Sequence, residues 1–455
     1  MSRPTRRKVA FIGGGGVRTP LVVFGIQQSA PLTGVEELVL YDPDQDRARI
    51  ITELGRAVVQ AEGGSLHVRS AASLEDAIDG ASFVMNSIRV GGIAARAHDE
   101  RASIQHGYPG QETTGPGGVA MALRTVGIAV EQARAVERLA PSAWLINFTN
   151  PAGLITEAIR RHTAVRIVGI CDTPTEMLHR IQTALDAAPG EVVCDYVGLN
   201  HLGWVRRIHL CGEDVTARCL ADDAFLDQLY SAPLFDHDLI RTLGLIPTEY
   251  LFFYYSRRRA LENQLRSGAT RGEEIARLNT GLLGTLARHL AAGDGRAAIQ
   301  AYVDYLNTRS GSYMKLEGSG GSALAGGPAP QEDPFRAATG YHRIALDVMD
   351  ALTGARPACL IVNTRNGGSI PDVDPDAVVE VASDISTDSI VPAPCDPLPE
   401  SVRGLVLSVK AYEAAAIEAA LQQSELLARK AMLLYPAIGE WEPSVGLLSD
   451  LRTRP

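Results

Sequence analysis

The chain has no excess of positive charge: 43 Lys and Arg stand against 53 Asp and Glu, a formal net charge of -10 with neutral histidines. That balance offers no broad positive field to a nucleic-acid backbone or an anionic lipid surface, which argues against both as main partners. No stretch reaches the 18 or so consecutive apolar residues that read as a bilayer-spanning helix. The apolar run after the basic N-terminal residues, Val9-Ala10-Phe11-Ile12, stops at Gly13, which reads as a strand and not as the core of a signal peptide. Cysteine is scarce as well. Cys171, Cys194, Cys211, Cys219, Cys359 and Cys395 form no C-x-x-C pair and no dense disulfide framework, so a reducing compartment, the cytoplasm, is expected.

Glycine is the abundant residue, 44 of 455, within an otherwise ordinary globular composition of 45% hydrophobic and 21% charged residues. Glycine serves tight turns and close approach of backbone to a ligand. At roughly 100 to 200 residues per domain the length allows two or three domains. Apolar runs at residues 8–12, 37–41, 82–87, 143–148 and 165–171 alternate with helical patterns at 19–28, 46–61 and from Pro151 onward. That alternation predicts a doubly wound parallel sheet over residues 1–170. Beyond residue 170 the pattern loosens into a mixed α/β domain. Strands are expected at 191–198, 204–210, 359–364 and 377–382, and helices at 271–292 and 296–308. Residues 317–335 have linker chemistry and read as a mobile surface loop, and 402–434 reads as a long helix with room for one break.

The first glycine cluster, Gly13-Gly14-Gly15-Gly16-Val17-Arg18, fits G-x-G but lacks the third glycine of the dinucleotide fingerprint, with Arg18 in its place. It does follow a strand and open a helix, whose free N–H groups can hold a pyrophosphate. A strand-ending acid, Asp42, lies 27 residues after Gly15, placed to bind a ribose hydroxyl, which favours NAD over NADP. A glycine-rich turn without any nucleotide is the alternative. Polar clusters sit where three further strands end: Ser87-Ile88-Arg89-Val90-Gly91-Gly92, Asn147-Phe148-Thr149-Asn150-Pro151 and Gly169-Ile170-Cys171-Asp172-Thr173-Pro174. In open α/β sheets ligands bind at such ends, although Asn or Asp before Pro is also an ordinary turn. Gln111-Glu112-Thr113-Thr114-Gly115-Pro116-Gly117-Gly118 can wrap a small molecule. Cys171 and His201 match no zinc-finger spacing, and the aromatic run from Tyr250 to Tyr255 does not say which ring faces a cleft.

Taken in order, these clusters resemble glycoside hydrolase family 4, the NAD- and metal-dependent glycosidases, most closely its 6-phospho-β-glucosidase branch. The resemblance runs nearly end to end. It adds Ala95-Arg96 with Asp99-Glu100, Gly198-Leu199-Asn200-His201-Leu202 and Ile361-Val362-Asn363-Thr364-Arg365-Asn366-Gly367-Gly368 to the clusters above. It implies a Rossmann-like domain followed by a substrate- and metal-binding α/β domain with C-terminal helices, and a homodimer or homotetramer. Gly13, Gly15, Gly16, Val17 and Asp42 would bind NAD+, and Cys171 and His201 a divalent ion, usually Mn2+. Asn150 would contact the sugar. Arg96 and Arg271, with help from Arg89, would hold the 6-phosphate, a task suited to the guanidinium fork.

The implied chemistry is oxidation at sugar carbon 3, loss of the acidified carbon 2 proton, expulsion of the aglycone, addition of water and return of the hydride. The family is a known exception to the two-carboxylate route. Tyr250 would be the base, with Tyr254 as the other candidate, and an adjacent dication is the means of ionising a tyrosine. One position departs from the β-branch: Asp172 stands after Cys171 where those enzymes usually carry Asn, as in the phospho-α-glucosidases, where it serves as the acid for the leaving oxygen. The expected substrate is a phosphorylated disaccharide or aryl glycoside. A 6-phospho-α-glucosidase, an NAD-dependent sugar dehydrogenase and a non-catalytic nucleotide sensor are the other readings.

Overall fold

A computed structural model of the chain describes residues 7–311, Met314, Gly318 and residues 333–452. The expected loop at 317–335 lies outside the described residues, apart from Gly318 and residues 333–335.

The first half is built on six strands: β1 (Arg7–Ile12), β2 (Val35–Tyr41), β3 (His67–Ser70), β4 (Phe83–Asn86), β5 (Trp144–Asn147) and β6 (Arg166–Gly169). They pair in parallel in the order β3-β2-β1-β4-β5-β6, the Rossmann arrangement that the strand-helix alternation predicts. The two faces follow from strand periodicity. Val9, Phe11, Leu38, Leu40, Phe83, Met85 and Ile146 face the helices Thr19–Thr33, Gln45–Ala61 and Tyr341–Leu352. Ala10, Ile12, Val39, Val84 and Leu145 face the helices Pro116–Leu139 and Ala152–His162. Because both faces are covered, these strands read as continuous apolar runs without alternation. The Pro116–Leu139 helix was not anticipated, since its opening Pro-Gly-Gly reads locally as loop.

The second half contributes β7 (Val192–Leu199), β8 (Leu202–Leu210), β9 (Glu213–Asp214), β10 (Ile246–Pro247), β11 (Ala358–Arg365), β12 (Val378–Ser386) and β13 (Ser389–Pro392), all in antiparallel pairings. They do not form a separate sheet. Asn363 of β11 pairs with Gly169 of β6, so a single 13-stranded sheet runs through the chain in the order β10-β8-β7-β12-β11-β6-β5-β4-β1-β2-β3, with β13 on β12 and β9 on β8. The expected 402–434 helix is two, Glu400–Gln422 and Glu425–Leu434, separated at Gln423, whose φ of +52° no continuing helix tolerates. Among the described residues no helix is long and apolar enough to cross a membrane.

The C-terminal helices are tied to the sheet by a buried charge. Lys410 contacts the Glu157 carboxylate and donates to Glu413 Oε2 at 2.6 Å and to the Val378 carbonyl at 3.0 Å. Glu157 in turn accepts the Val378 N–H at 2.8 Å. Removing one member of such a group strands its partners, which costs about 3 kcal/mol or more. Lys410→Met is therefore expected to lower the urea midpoint markedly, and an unchanged midpoint would show that the contact is energetically idle.

Candidate active site

One line of register crosses the sheet. Successive Cα partners run Tyr41, Ile12, Asn86, Asn147, Gly169, Asn363, Glu380, Gly198 and Gly203. The clusters at strand ends leave the sheet within a few residues of this line, while the stretch 111–118 joins two helices. The glycine loop follows Ile12, Asp42 follows Tyr41, Arg89 lies three residues after Asn86, Asn150 three after Asn147, Cys171 two after Gly169, and His201 three after Gly198.

At the glycine loop, Gly13 has φ +81° and its N–H, like that of Gly14, donates to the Tyr41 carbonyl, at 2.8 and 2.9 Å. A Cβ at Gly13 would collide with the Ser87 carbonyl. Gly16 N–H closes the turn on the Gly13 carbonyl at 3.0 Å, and the Val17 carbonyl accepts the Tyr302 hydroxyl at 2.8 Å. Asp42 is buried. Its Oδ2 accepts the Gly15 N–H at 3.2 Å and the Arg47 guanidinium at 3.0 Å. Arg18, which occupies the third glycine position, is half exposed and reaches across the loop, 3.7 Å from Asp172 Oδ2 and 4.7 Å from the centroid of the Tyr341 ring.

Cys171 is buried at the end of β6. Burial, then the Glu380 and Asp172 carboxylates, push its thiol well above the ordinary value, so ionising it requires a compensating cation. Asp172 stands immediately before the Thr173–Ala184 helix without a side-chain capping bond, and burial raises its carboxyl. His201 stands in the turn between β7 and β8 with φ +61°. Burial pushes its imidazole down to about 4, so the ring is neutral at physiological pH. Its Nδ1 is 2.8 Å from Thr113 Oγ1, while its buried Nε2 has no protein partner. A neutral imidazole with an open ring nitrogen and a buried thiol, each within three residues of the same register line, are donor types suited to a divalent transition metal. Among the described residues no cluster of three or more His, Cys, Asp or Glu could hold a metal, so a cation on this pair would keep positions open for non-protein ligands.

The Tyr250 ring stacks on His201, centroids 3.6 Å apart and 8° from parallel. Tyr254 occupies a different place. Its hydroxyl is 3.0 Å from that of Tyr435, which accepts the Gly115 N–H at 3.1 Å. Asn150, joined to Pro151 by a cis peptide, precedes Ala152, whose N–H donates to Asn200 Oδ1 at 2.9 Å. Glu380 gathers the neighbouring polar groups, accepting from Tyr196 at 2.7 Å, Asn363 at 2.9 Å and Asn200 at 3.4 Å. Burial pushes Glu380 up to about 7, and Glu249 likewise.

The arginines converge on one acid. Glu112 Oε2 lies 2.6 Å from Arg89 Nη2 and 2.9 Å from Arg96 Nη1. Although burial alone would raise it, Arg89 and Arg96 hold the Glu112 carboxyl well below its usual range. Glu100 receives Arg96 Nε at 2.7 Å and the Gly272 N–H at 2.6 Å, which ties Arg96 to the start of the Arg271–Ala291 helix. Arg271 itself donates to the Arg309 carbonyl at 2.8 Å. Burial and then the Arg18 guanidinium push Arg309 down to about 10, the mark of cations crowded together. Sequence reasoning missed Arg309, Tyr341 and Glu380, and named Glu100 and Glu112 only within longer motifs, without a role. Glu380 is a strand-borne acid with no local motif, and only the fold places it.

Comparisons with known proteins agree with this geometry. Residues 8–187 match the model of the family 4 glycosyl hydrolases, and residues 196–438 match that family's C-terminal domain. A probable 6-phospho-beta-glucosidase of Bacillus subtilis is 30% identical over 95% of this chain and 92% of its own length, and a 6-phospho-beta-glucosidase of Escherichia coli is 29% identical over 91% and 87%. The solved 6-phospho-beta glucosidase of Thermotoga maritima with manganese, NAD+ and glucose-6-phosphate superposes with a TM-score of 0.79 at 25% identity, covering 98% of this chain and 97% of that one. With its parallel nucleotide-type half, its antiparallel second half and both matched along nearly their whole length, the chain belongs to glycosyl hydrolase family 4.

Proposed function

We propose that the protein hydrolyses 6-phosphorylated β-glucosides, using NAD+ and a divalent metal such as Mn2+ as cofactors. The observation that supports the reading is that a dinucleotide-type glycine loop, a buried thiol, an imidazole with an open nitrogen and Arg89, joined to Arg96 through Glu112, all lie within a few residues of one register line or touch one that does. Relatives similar over nearly the whole chain act on such substrates. When bound, the dinucleotide supplies a reversible hydride acceptor and the dication supplies Lewis-acid polarisation of sugar oxygens.

The chain's own residues divide the remaining work. Gly13, Gly15, Gly16 and Val17 leave the backbone bare against the pyrophosphate, and Asp42 braces the loop through the Gly15 N–H. Arg96 and Arg271, braced through Glu100 and the Arg309 carbonyl, hold the 6-phosphate, with Arg89 beside them. Asn150 orients the sugar. Cys171 and His201 hold the metal. Tyr250, fixed in plane by its stack on His201, would take the carbon 2 proton as its phenolate, the form that a neighbouring dication favours. Asp172, at the rim beside Arg18, gives its proton to the leaving oxygen. The β preference follows the 6-phospho-beta-glucosidases at 30% and 29% identity, since a phospho-alpha-glucosidase matched over 97% of the chain is 23% identical. Asp172 supports the second reading, a 6-phospho-α-glucosidase, since loss of the carbon 2 proton is common to both anomers. We read residues 1–170 as the NAD domain and 171–455 as the substrate and metal domain, and the molecule as a cytoplasmic homo-oligomer whose buried thiol needs a reducing environment.

The decisive experiment offers 6-phosphorylated cellobiose, gentiobiose and maltose, and their unphosphorylated forms, with NAD+, Mn2+ and reductant in deuterated water. Phosphorylated β-disaccharides are expected to be cleaved, with deuterium at carbon 2 of the released sugar. Hydrolysed product without deuterium would refute the elimination route, and net accumulation of NADH would indicate a dehydrogenase. Cys171→Ala is expected to abolish metal-dependent turnover, and hydrolysis at the wild-type rate would overturn the assignment. Arg96→Ala removes a charge-assisted contact worth about 2 kcal/mol, so kcat/KM should fall about 30-fold for the phosphorylated substrate. Steady-state kinetics showing an unchanged value would move the phosphate site elsewhere.

A further inference from the structure

We propose that Gln111 and Thr113 are positioning residues that fix the tautomer of His201 and so hold its Nε2 lone pair open for the cation, an inference that rests on the metal reading above. The hydrogen bonds run outward from the Gln111 side-chain oxygen, which faces three donors. The Gln111 side-chain oxygen accepts the backbone N–H groups of Thr113 and Thr114, each at 2.6 Å. An atom facing two obligatory donors is the amide oxygen and not its nitrogen. It has no proton to give, so the Thr113 hydroxyl, 3.0 Å away, is the donor between them. A hydroxyl has a single proton. With that proton spent on Gln111, Thr113 Oγ1 is left as an acceptor toward His201 Nδ1 at 2.8 Å, and the imidazole proton sits on Nδ1.

Nε2 then carries the lone pair, and this is the ring nitrogen that is buried with no protein partner. In the opposite tautomer an N–H would be stranded in a dry site, and two oxygens would face each other at 3.0 Å without a proton between them. Water cannot blur the choice, because Gln111, Thr113 and His201 are only 8%, 6% and 5% exposed. The loop that carries the pair is itself pinned. A Cβ at Gly117 would collide with the Gln111 carbonyl and one at Gly118 with the Thr113 carbonyl, so the start of the Pro116–Leu139 helix lies directly against both. The Tyr250 stack sets the plane of the His201 ring, and Thr113 sets which edge points away from the loop. Groups that orient a metal-binding imidazole through its second nitrogen typically govern about 10- to 100-fold in metal affinity.

The test uses the full-length protein. Titration of the metal-free protein with Mn2+, followed by the electron paramagnetic resonance of the free ion, should show Thr113→Val binding about 10- to 100-fold more weakly than wild type. Thr113→Ser, which restores the hydroxyl, should return to within about threefold, and NAD+ affinity should be the same in all three. In 15N-histidine spectra of the metal-free wild type, His201 should show a protonated Nδ1 and an unprotonated Nε2, and Thr113→Val should lose that pattern. Wild-type Mn2+ affinity in Thr113→Val, equal weakness in the serine variant, or a proton on Nε2 in the wild type would each overturn the proposal. If the wild type and Cys171→Ala bound Mn2+ equally poorly, the metal reading itself would fail, while the histidine spectrum would still decide the tautomer.

Discussion

Everything at this site hangs on strand register. The line from Tyr41 through Ile12, Asn86, Asn147, Gly169, Asn363 and Glu380 to Gly198 brings residues more than 150 positions apart to one edge of the sheet. In a parallel sheet the carboxyl ends of the strands already share an edge. The second half joins through a single antiparallel pair, Asn363 with Gly169, followed by two further antiparallel steps. Those three reversals leave β7 running opposite to β6, and it is the register that sets Gly198, three residues before His201, level with Gly169, two before Cys171. A slip of one residue at this junction would turn every side chain of the second half to the opposite face.

The register line is polar at its centre, which is costly unless each group is paired. Asn147 donates to the Thr149 and Ala152 carbonyls and to the Thr156 hydroxyl, while its own oxygen accepts the Thr149 N–H. Glu380 collects Tyr196, Asn363 and Asn200. These networks lock the loops that leave the line, since Asn200 reaches both Glu380 and the Ala152 N–H beyond Asn150. Satisfied buried polar groups specify one geometry where apolar packing would tolerate several. The same logic serves the arginines. A chain of net charge -10 sets Arg89 and Arg96 on Glu112 and Glu100, and Arg271 on Glu274 and the Arg309 carbonyl, so recognition of an anion depends on local placement and not on the overall field.

The sequence was legible where the chain's local grammar coincides with its function. Strand, glycine loop and helix announce the first half, and the polar clusters at strand ends mark its edge. It was illegible where partners are distant: Thr113 meets His201 across 88 positions, Glu112 meets Arg89 and Arg96 from a separate loop, and Asn363 finds Gly169 only through the sheet. The spacing of Cys171 and His201 carries no motif for that reason. Their separation along the chain is the length of a helix and a strand, and only the register puts the strand ends that carry them level with each other. The expected division near residue 170 marks a change from parallel to antiparallel pairing within one continuous sheet.

The aromatic run shows why even a short segment resisted reading. At α-helical pitch Tyr250 and Tyr254, four apart, would share a face. The chain instead forms a 3-10 turn over Glu249–Leu251 before the helical turn Phe252–Tyr255, and a 3-10 turn advances about 120° per residue where an α-helix advances about 100°. The change of pitch separates the two rings. Tyr250 lies over His201, and Tyr254 turns to Tyr435 behind the Gly115 loop. The second tyrosine thus braces the loop that carries Gln111 and Thr113, and those residues present the imidazole against which the first tyrosine is stacked. One six-residue segment therefore touches both ends of the chain of contacts that sets the orientation of His201.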